Sequence, residues 1–553
     1  MMFFNPLLCS LACIVFIGSA STANIPKPDE MTIPLSKKTG KCSKCSSLTQ
    51  TNIVFILADD MGYNDVGYHG MEGMSAIQTP TIDRLADQGV KLENYYVQPS
   101  CSPTRGQLML GRYQIHTGLQ SGVIVVGDDR CLPSTETSVA QRLQSLGYNT
   151  SMVGKWHLGM SRKNCLPTRW GFESFFGYLG GSHDYYTHKT HFTRGGALDL
   201  GIDLQENEHP ASRVYDGIHS TLIFTKKAEE VIEKHNPIRP LFLYLAYQTP
   251  HLPMQSLLKY TTPYNDVIAN PHRHIYAGMI GMLDEGIYNV TEALKRTGLW
   301  DNTVIIFSSD NGGSRWFGSN WPLRGEKGTL WEGGIKAAGF VHSPLLPDRI
   351  RGTVSRELMH VSDWYPTLVE GIAGGDASAD EKRLDGFNMW NTIRNGASSP
   401  REEILVNIDP LLPYAQLSYT DAVILTLHPH PLDTFDPRNH AAIIQNGWKL
   451  VTGDPSVTGR SDLWHPPPES GLDVNLNRLY CSSPDDVIQL YNLNADPYET
   501  CNVASWPWAF NKVYELLDRL KEHERTSVPA IPAGLDPRSN PALYGGYWKP
   551  WLD

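Results

Sequence analysis

Four continuous apolar runs constrain the fold of this chain more than any other feature: Asn52-Ile-Val-Phe-Ile-Leu-Ala58, Thr150-Ser-Met-Val153, Leu241-Phe-Leu-Tyr-Leu-Ala246 and Thr303-Val-Ile-Ile-Phe307. A strand with one wet face alternates apolar and polar side chains, whereas a run without alternation belongs to a strand covered on both faces. Helical patterns lie between the runs. Thr79 can cap a helix that has Pro80 at its first position, Ile82, Leu85 and Ala86 on one face, and Gly89 as terminator. A second carries Val139, Ala140 and Leu143 and stops at Gly147. Strands alternating with helices predict an α/β domain, a mostly parallel central sheet sandwiched by helices.

The pattern changes at Asn395-Gly-Ala-Ser-Ser-Pro400, which reads as a linker. Beyond it, Ala441 to Val451 centres on Asn446-Gly447, the pair favoured in a two-residue hairpin. A short strand over Val487 to Leu493 and a helix over Phe510 to Glu524 complete a smaller C-terminal α+β domain with an antiparallel sheet. At the other end, the apolar stretch Leu7 to Ile17 followed by Ser21-Thr22-Ala23 reads as a signal peptide, although Lys and Arg are missing ahead of it. It is too short for a comfortable membrane span, and no later stretch is long enough for one. The expected division is a signal peptide over 1–23, a flexible lead-in over 24–48, a catalytic domain over 49–395 and a C-terminal subdomain over 396–553. A formal charge of -11 argues against a nucleic-acid partner, which wants a basic surface.

In open parallel sheets, ligands bind outside the carboxyl ends of strands. The first run ends in Asp59-Asp60 and the second in Gly154-Lys155-Trp156-His157; the third leads to Pro250-His251 and the fourth to Asp310-Asn311. Any one of these reads equally well as turn chemistry, but four on one edge point to a site. Asp59, Asp60, Asp310 and Asn311 offer oxygens and no soft donor, which suits Ca²⁺ or Mg²⁺ and disfavours Zn²⁺. In Pro99-Ser-Cys101-Ser-Pro103-Thr-Arg105, Ser102 can be an N-cap and Pro103 the first helical residue. Cys101 would then stand just ahead of a helix whose free N–H groups favour an anion, with Arg105 on the same face. A lone motif of this kind also reads as a structural cysteine.

Cys101-Ser-Pro-Thr-Arg105, with the Gly111-Arg112 that follows, resembles the sulfatase signature. Gly147-Tyr-Asn-Thr-Ser-Met-Val-Gly-Lys155-Trp-His157 resembles the second sulfatase signature, and the likeness continues through Asn320-Trp-Pro-Leu-Arg-Gly-Glu-Lys327. Within the family it points to the arylsulfatase B branch. The resemblance implies an alkaline-phosphatase-like fold and one Ca²⁺ held by Asp59, Asp60, Cys101, Asp310 and Asn311. It also implies conversion of Cys101 to 3-oxoalanine (Cα-formylglycine) by a formylglycine-generating enzyme. The hydrated aldehyde carries two hydroxyls on one carbon, one to attack sulfur and one to expel sulfate as the aldehyde re-forms. In that scheme Arg105 helps ionise the nucleophile, His157 orients or deprotonates the diol, Lys155 and Lys327 hold sulfate oxygens, and His251 protonates the leaving oxygen. Ser182, in Gly180-Gly-Ser-His-Asp184, is either a further substrate contact or an ordinary loop cap. Leu110 departs from the family, which commonly has Thr there, in a stretch that the modifying enzyme reads.

The branch implies removal of the 4-sulfate of N-acetylgalactosamine units in glycosaminoglycans, in the lysosome or outside the cell. A small sulfate ester such as an aryl sulfate or glucosinolate is the alternative substrate; a secreted protein that binds sulfated glycans without catalysis is the non-enzymatic one. Phosphodiesterases of the superfamily use Ser or Thr nucleophiles and a second metal set that this sequence lacks. Trp316, Phe317 and Trp321 either line the pocket or pack against the C-terminal domain. Of nine cysteines, Cys9 and Cys13 leave with the signal, and the remainder is odd. By resemblance Cys131 pairs with Cys165, while a relative's bridge from this loop to the C-terminal segment is lost where Asp536-Pro-Arg-Ser539 stands. Pairing Cys42 with Cys45 and Cys481 with Cys501 leaves Cys101 alone. Of two glycosylation sequons, Asn149 falls beside a predicted buried strand, so Asn289 is the expected site.

Overall fold

All seven residues of Asn52–Ala58 are buried, because two cores claim the alternate faces of this strand. Ile53, Phe55 and Leu57 enter one apolar cluster, and Val54, Ile56 and Ala58 another. The computed structural model describes residues 50–70, 75–194, 197–378, 383–430, 433–456, 463–472 and 486–552. The expected signal peptide, the lead-in, Cys42, Cys45 and Cys481 lie outside them.

In chain order the strands are β1 (Asn52–Ala58), β2 (Val90–Leu92), β3 (Tyr95–Tyr96), β4 (Asn149–Lys155), β5 (Ser174–Tyr178), β6 (Lys189–Arg194), β7 (Ala197–Ile202), β8 (Gln205–Glu206), β9 (His209–Pro210), β10 (Leu241–Ala246), β11 (Thr303–Ser309), β12 (Gly339–His342), β13 (Thr353–Ser355), β14 (Met359–His360), β15 (Glu403–Asp409), β16 (His440–Gln445), β17 (Trp448–Thr452) and β18 (Gln489–Asn492). Ten of them form one sheet in the order β13-β2-β12-β11-β1-β10-β4-β5-β8-β9. Its middle, β11-β1-β10-β4-β5, is parallel, and the four predicted runs are four of those five strands. Antiparallel pairing begins outside that middle, at β12 and β8.

Helices cover both faces of this sheet. Helix α1 (Pro80–Asp87) buries Ile82, Leu85 and Ala86, and shares its core with α4 (Ser220–Glu233) and the long helix Pro271–Arg296. The N–H groups of Thr81 and Ile82 at the start of α1 are capped by the Asp284 carboxylate rather than by Thr79. On the other face lie α2 (Cys101–Leu110) and α3 (Val139–Ser145), the latter opened by a reciprocal Ser138–Gln141 capping box.

A separate antiparallel sheet, β15-β16-β17-β18, follows. Asn446 and Gly447, at φ 52° and 75°, provide the two left-handed residues that its tight hairpin needs. One face packs on the helix Phe510–Thr526, while Ala442, Ile444 and Val451 meet Tyr96 of β3 and Leu330 and Ile335 from the segment between β11 and β12. Strand β15 escapes the sequence reading: its Glu403-Ile-Leu-Val-Asn-Ile-Asp run lies directly after the supposed linker. Among the described residues no helix is long and apolar enough to cross a membrane.

Candidate active site

The carboxyl ends of β1, β4, β10 and β11 meet at one edge of the sheet. Asp59 and Asp60 follow β1, Lys155 ends β4 with His157 just beyond, and Asp310 and Asn311 follow β11. Asp60 (φ 62°) and His157 (φ 58°) both hold left-handed backbone, uncommon for residues with a Cβ. In each case tertiary bonds fix the turn. The Asp60 N–H donates to Asp310 Oδ1 (3.2 Å) and its carbonyl accepts from the Tyr276 hydroxyl (3.0 Å). The His157 N–H donates to the Leu179 carbonyl (3.1 Å).

Helix α2 begins at Cys101 itself, two residues earlier than the Ser-Pro pattern suggests, with Ser100 at the N-cap. Ser102 therefore lies inside the first turn, where its hydroxyl donates to the His157 carbonyl (2.9 Å) and accepts from the Ile124 N–H (3.1 Å). Every residue of α2 is buried. Arg105, one turn on, donates to Asp310 Oδ2 from Nη2 (2.8 Å) and Nε (3.1 Å), and its Nη2 lies 3.6 Å from Asp59.

The charges interlock tightly. Lys155 Nζ is 2.5 Å from Asp59 Oδ2, and Lys327 Nζ is 2.6 Å from Asp60 Oδ1. The thiol of Cys101 lies 3.4 Å from Asp59 Oδ1 and 3.5 Å from Lys327 Nζ. Burial, with Asp310 and Asp59 adding to it, pushes that thiol up to about 12, so the unmodified residue is a thiol and a poor nucleophile. Burial and the Asp310 charge push Asp59 up to about 7. Burial acts on Asp60 in the same sense, but Lys327 and His251 overcome it and hold the carboxyl below the usual range. Both histidines are kept neutral by burial, with His251 down to about 3. The His251 Nδ1 must carry the proton, because it donates to the Leu252 carbonyl (2.8 Å), which leaves Nε2 facing Asp60 at 3.7 Å.

A hard cation fits this donor set. Ligand atoms of Asp59, Asp60, Cys101 and His251 lie within 4.8 Å of one another. Asn311 donates from Nδ2 to Asp60 (2.8 Å), yet its buried Oδ1 has no hydrogen-bond partner. A buried carbonyl oxygen without a donor is costly, and carboxylates plus an amide oxygen are what Ca²⁺ takes.

Above Cys101 opens a cavity of about 330 Å³. Cys101, His157, Ser182, His251 and Lys327 line it, whereas Arg105 and Lys155 have no exposure and sit beneath with the carboxylates. Trp316, Phe317 and Trp321 do not line it: Trp316 is exposed beside Arg315, and Phe317 packs on Tyr276. The sequence reading missed the side walls, Val123, Val125 and Val126 on one hand and Thr190, His191 and Phe192 on the other. The second wall had a readable signal in the sequence, since a Gly-Gly pair is favoured in tight hairpins and Gly195-Gly196 stands between the segments that form the antiparallel pair β6 and β7. Cys131 and Cys165 are disulfide-bonded. Cys501 is bonded as well; its expected partner, Cys481, lies outside the described residues. Asn289 is half-buried in the middle of the helix Pro271–Arg296, and Asn149 opens β4 with Nδ2 donating to Glu173 (2.8 Å).

The sulfatase family model matches residues 51–372. Arylsulfatase J of Mus musculus is 48% identical over 508 residues, spanning 91% of this chain and 80% of that one. Arylsulfatase A of Homo sapiens is 30% identical over 378 residues, 64% of this chain and 69% of its own. Among solved structures, the crystal structure of Ps i-CgsB superimposes with a TM-score of 0.68 at 26% identity, covering 87% of this chain and 94% of that one.

Proposed function

Because this chain belongs to the sulfatase family and is an enzyme that hydrolyses sulfate esters, we propose that its chemistry centres on Cys101 and acts on a sulfate group seated in the cavity above it. The position of Cys101 carries this reading. It is the free cysteine among the described residues, at the N-terminus of a buried helix, between the Asp59 carboxylate and the Lys327 ammonium.

Oxidation of Cys101 to formylglycine by a formylglycine-generating enzyme, followed by addition of water to the aldehyde, would supply the hydroxyl nucleophile that a buried thiol is not. One Ca²⁺, when bound, would be held by Asp59, Asp60, Asp310, Asn311 and the modified Cys101, and would supply positive charge to the site. Around them the chain's own groups divide the work. Lys327 lines the cavity and offers its ammonium to sulfate oxygens. His157, neutral and with its buried Nδ1 unpartnered, is the base for the nucleophile's proton. His251 faces the leaving oxygen with Nε2; its one proton sits on Nδ1 toward Leu252, so Nε2 can give that oxygen a proton only after it has itself been protonated. Ser182 contributes a hydroxyl to the wall. Arg105 and Lys155, sealed beneath, compensate Asp59 and Asp310 and act on sulfate through that charge balance.

The substrate we assign is the N-acetylgalactosamine 4-sulfate unit of a glycosaminoglycan, met in the secretory pathway, the lysosome or outside the cell. One observation favours a second substrate, a small aryl or similar sulfate ester: Val123, Val125, Val126 and Phe192 make much of the wall apolar, and among the described residues no carboxylate or arginine lines it. Purified protein decides both points. Sulfate release from a chromogenic aryl sulfate, loss of that release in Cys101→Ala, and formylglycine at position 101 by peptide mass are the expected results. A protein that releases no sulfate while Cys101 is fully converted overturns the reading. A panel of sulfated disaccharides and small sulfate esters ranks the two substrate classes by kcat/KM.

A further inference from the structure

Beyond the helix Phe510–Thr526 the chain leaves the four-stranded sheet and returns to the larger one, and we propose that this strap, residues 528–552, shapes the substrate cavity, with Trp548 as its positioning residue. The inference rests on the cavity above Cys101 being the substrate site.

The strap first runs along the segment that carries the valine wall. Val528 donates its N–H to the Ile115 carbonyl (2.8 Å), Ile531 to Gly118 (2.8 Å) and Asp536 to Gly127 (2.9 Å), while Asp129 donates back to Gly534 (2.9 Å). Val123, Val125 and Val126 lie between these bonds. Arg130 ties the loop from inside: paired with Asp128 at 2.6 Å, it donates to the carbonyls of Ser121 and Val123 (2.8 Å each) and reaches the Ile531 carbonyl at 3.4 Å.

The strap then crosses to the opposite wall. Strands β6 and β7 form a two-stranded ribbon outside the larger sheets, and Leu198 and Leu200 of β7 are 61% and 48% exposed. An isolated two-stranded ribbon is marginal by itself, so something other than a sheet must fix its position. Here the strap does so. Ile202 donates to the Gly546 carbonyl (2.8 Å) and Trp548 to the Ile202 carbonyl (3.0 Å). Asn540 Nδ2 donates to Asp199 Oδ1 (2.8 Å). The indole of Trp548 is completely buried, and its Nε1–H donates to the Thr190 carbonyl (3.2 Å), at the root of the Thr190-His191-Phe192 wall. Gly201 allows this approach: a Cβ there would meet Pro541 at 2.5 Å and Trp548 at 3.1 Å. One segment thus bonds to both walls.

Trp548→Phe keeps most of the buried ring and removes the N–H donor. Losing one net hydrogen bond is worth roughly a 2- to 10-fold change in an equilibrium. The expected result is a KM raised by about that factor for a two-ring sulfate ester and less for a one-ring ester, with kcat within about twofold for both. Asn540→Ala, on the half-buried side of the same ribbon, shifts KM in the same direction and keeps the test open if Trp548→Phe does not fold. Unchanged KM in folded variants, or equal falls in kcat for both esters at constant KM, overturns the strap. A wild-type enzyme that hydrolyses neither ester despite a converted Cys101 instead removes the cavity assignment on which it rests.

Discussion

The guanidinium of Arg105 lies 2.8 Å from Asp310 Oδ2, and neither side chain has any exposure to solvent. Asp59 stands 3.6 Å from the same guanidinium, so one cation answers two buried carboxylates. Removing one partner of such a group leaves the others uncompensated, which costs about 3–5 kcal/mol. Arg105→Ala is expected to lower thermal stability by that order and abolish sulfate release. Arg105→Lys keeps the charge but not the two-point contact with Asp310, and should recover part of the stability. Thermal unfolding of the two variants beside wild type checks the ranking.

The unpartnered Asn311 Oδ1 gives the proposed cation a readout independent of turnover. A ligand bound only by the folded state, at a hundred times its Kd, stabilises by about 3 kcal/mol. Added Ca²⁺ should therefore raise the Tm of chelator-treated protein, and Asn311→Ala should lose most of that rise. Equal rises in both proteins argue against this oxygen as a ligand.

The Cys131–Cys165 bridge closes a span of 34 residues that contains all of β4, Lys155 and His157. Trp156 Nε1 donates to the Cys165 carbonyl (3.0 Å), so the bridge also fixes the backbone turn that presents His157. Chain-entropy arguments value such a loop at roughly 3–4 kcal/mol. The Cys131→Ser, Cys165→Ser double variant should unfold at lower denaturant, with kcat falling more than KM rises.

At the junction of the two sheets, Lys449 lies 3.0 Å from Glu332 and 2.7 Å from Glu499, with all three side chains buried, and the Tyr96 hydroxyl donates to Glu332 (2.9 Å). Burial pushes Glu499 up to about 7; the Glu332 charge adds to this, and Lys449 opposes it. An acid whose folded pKa is raised contributes stability that is full below its unfolded value, near 4.5, and is lost as pH rises through about 7. Wild-type Tm should thus fall between pH 5 and pH 8 by more than that of Glu499→Gln, which cannot ionise. Parallel pH profiles for the two proteins rule this out.

Much of the architecture was legible because two-sided burial leaves a local mark. The apolar runs at Asn52, Thr150, Leu241 and Thr303 are of the kind that covered strands show, and their polar ends named the edge where the site lies. The Asn446-Gly447 turn was legible for a similar reason, since few residues tolerate its backbone. Strand β15 and the ribbon β6–β7 were not read. The first is a short apolar run next to a linker-like stretch, and the second alternates too weakly between apolar and polar residues to stand out.

The sequence by itself determined the sheet, its functional edge and the motif around Cys101, because each is written in neighbouring residues. Tertiary structure decided which charge answers which. Arg105 turned from the open face to Asp310, Lys155 sank against Asp59, and Lys327 came from more than two hundred positions away to bridge Asp60 and Cys101. It also decided the cavity walls, where Val123 to Val126 and Thr190 to Phe192 are held by a strap ending near Trp551. Contacts between distant segments depend on close packing and on pairing every buried charge, and neither condition leaves a periodic trace along the chain.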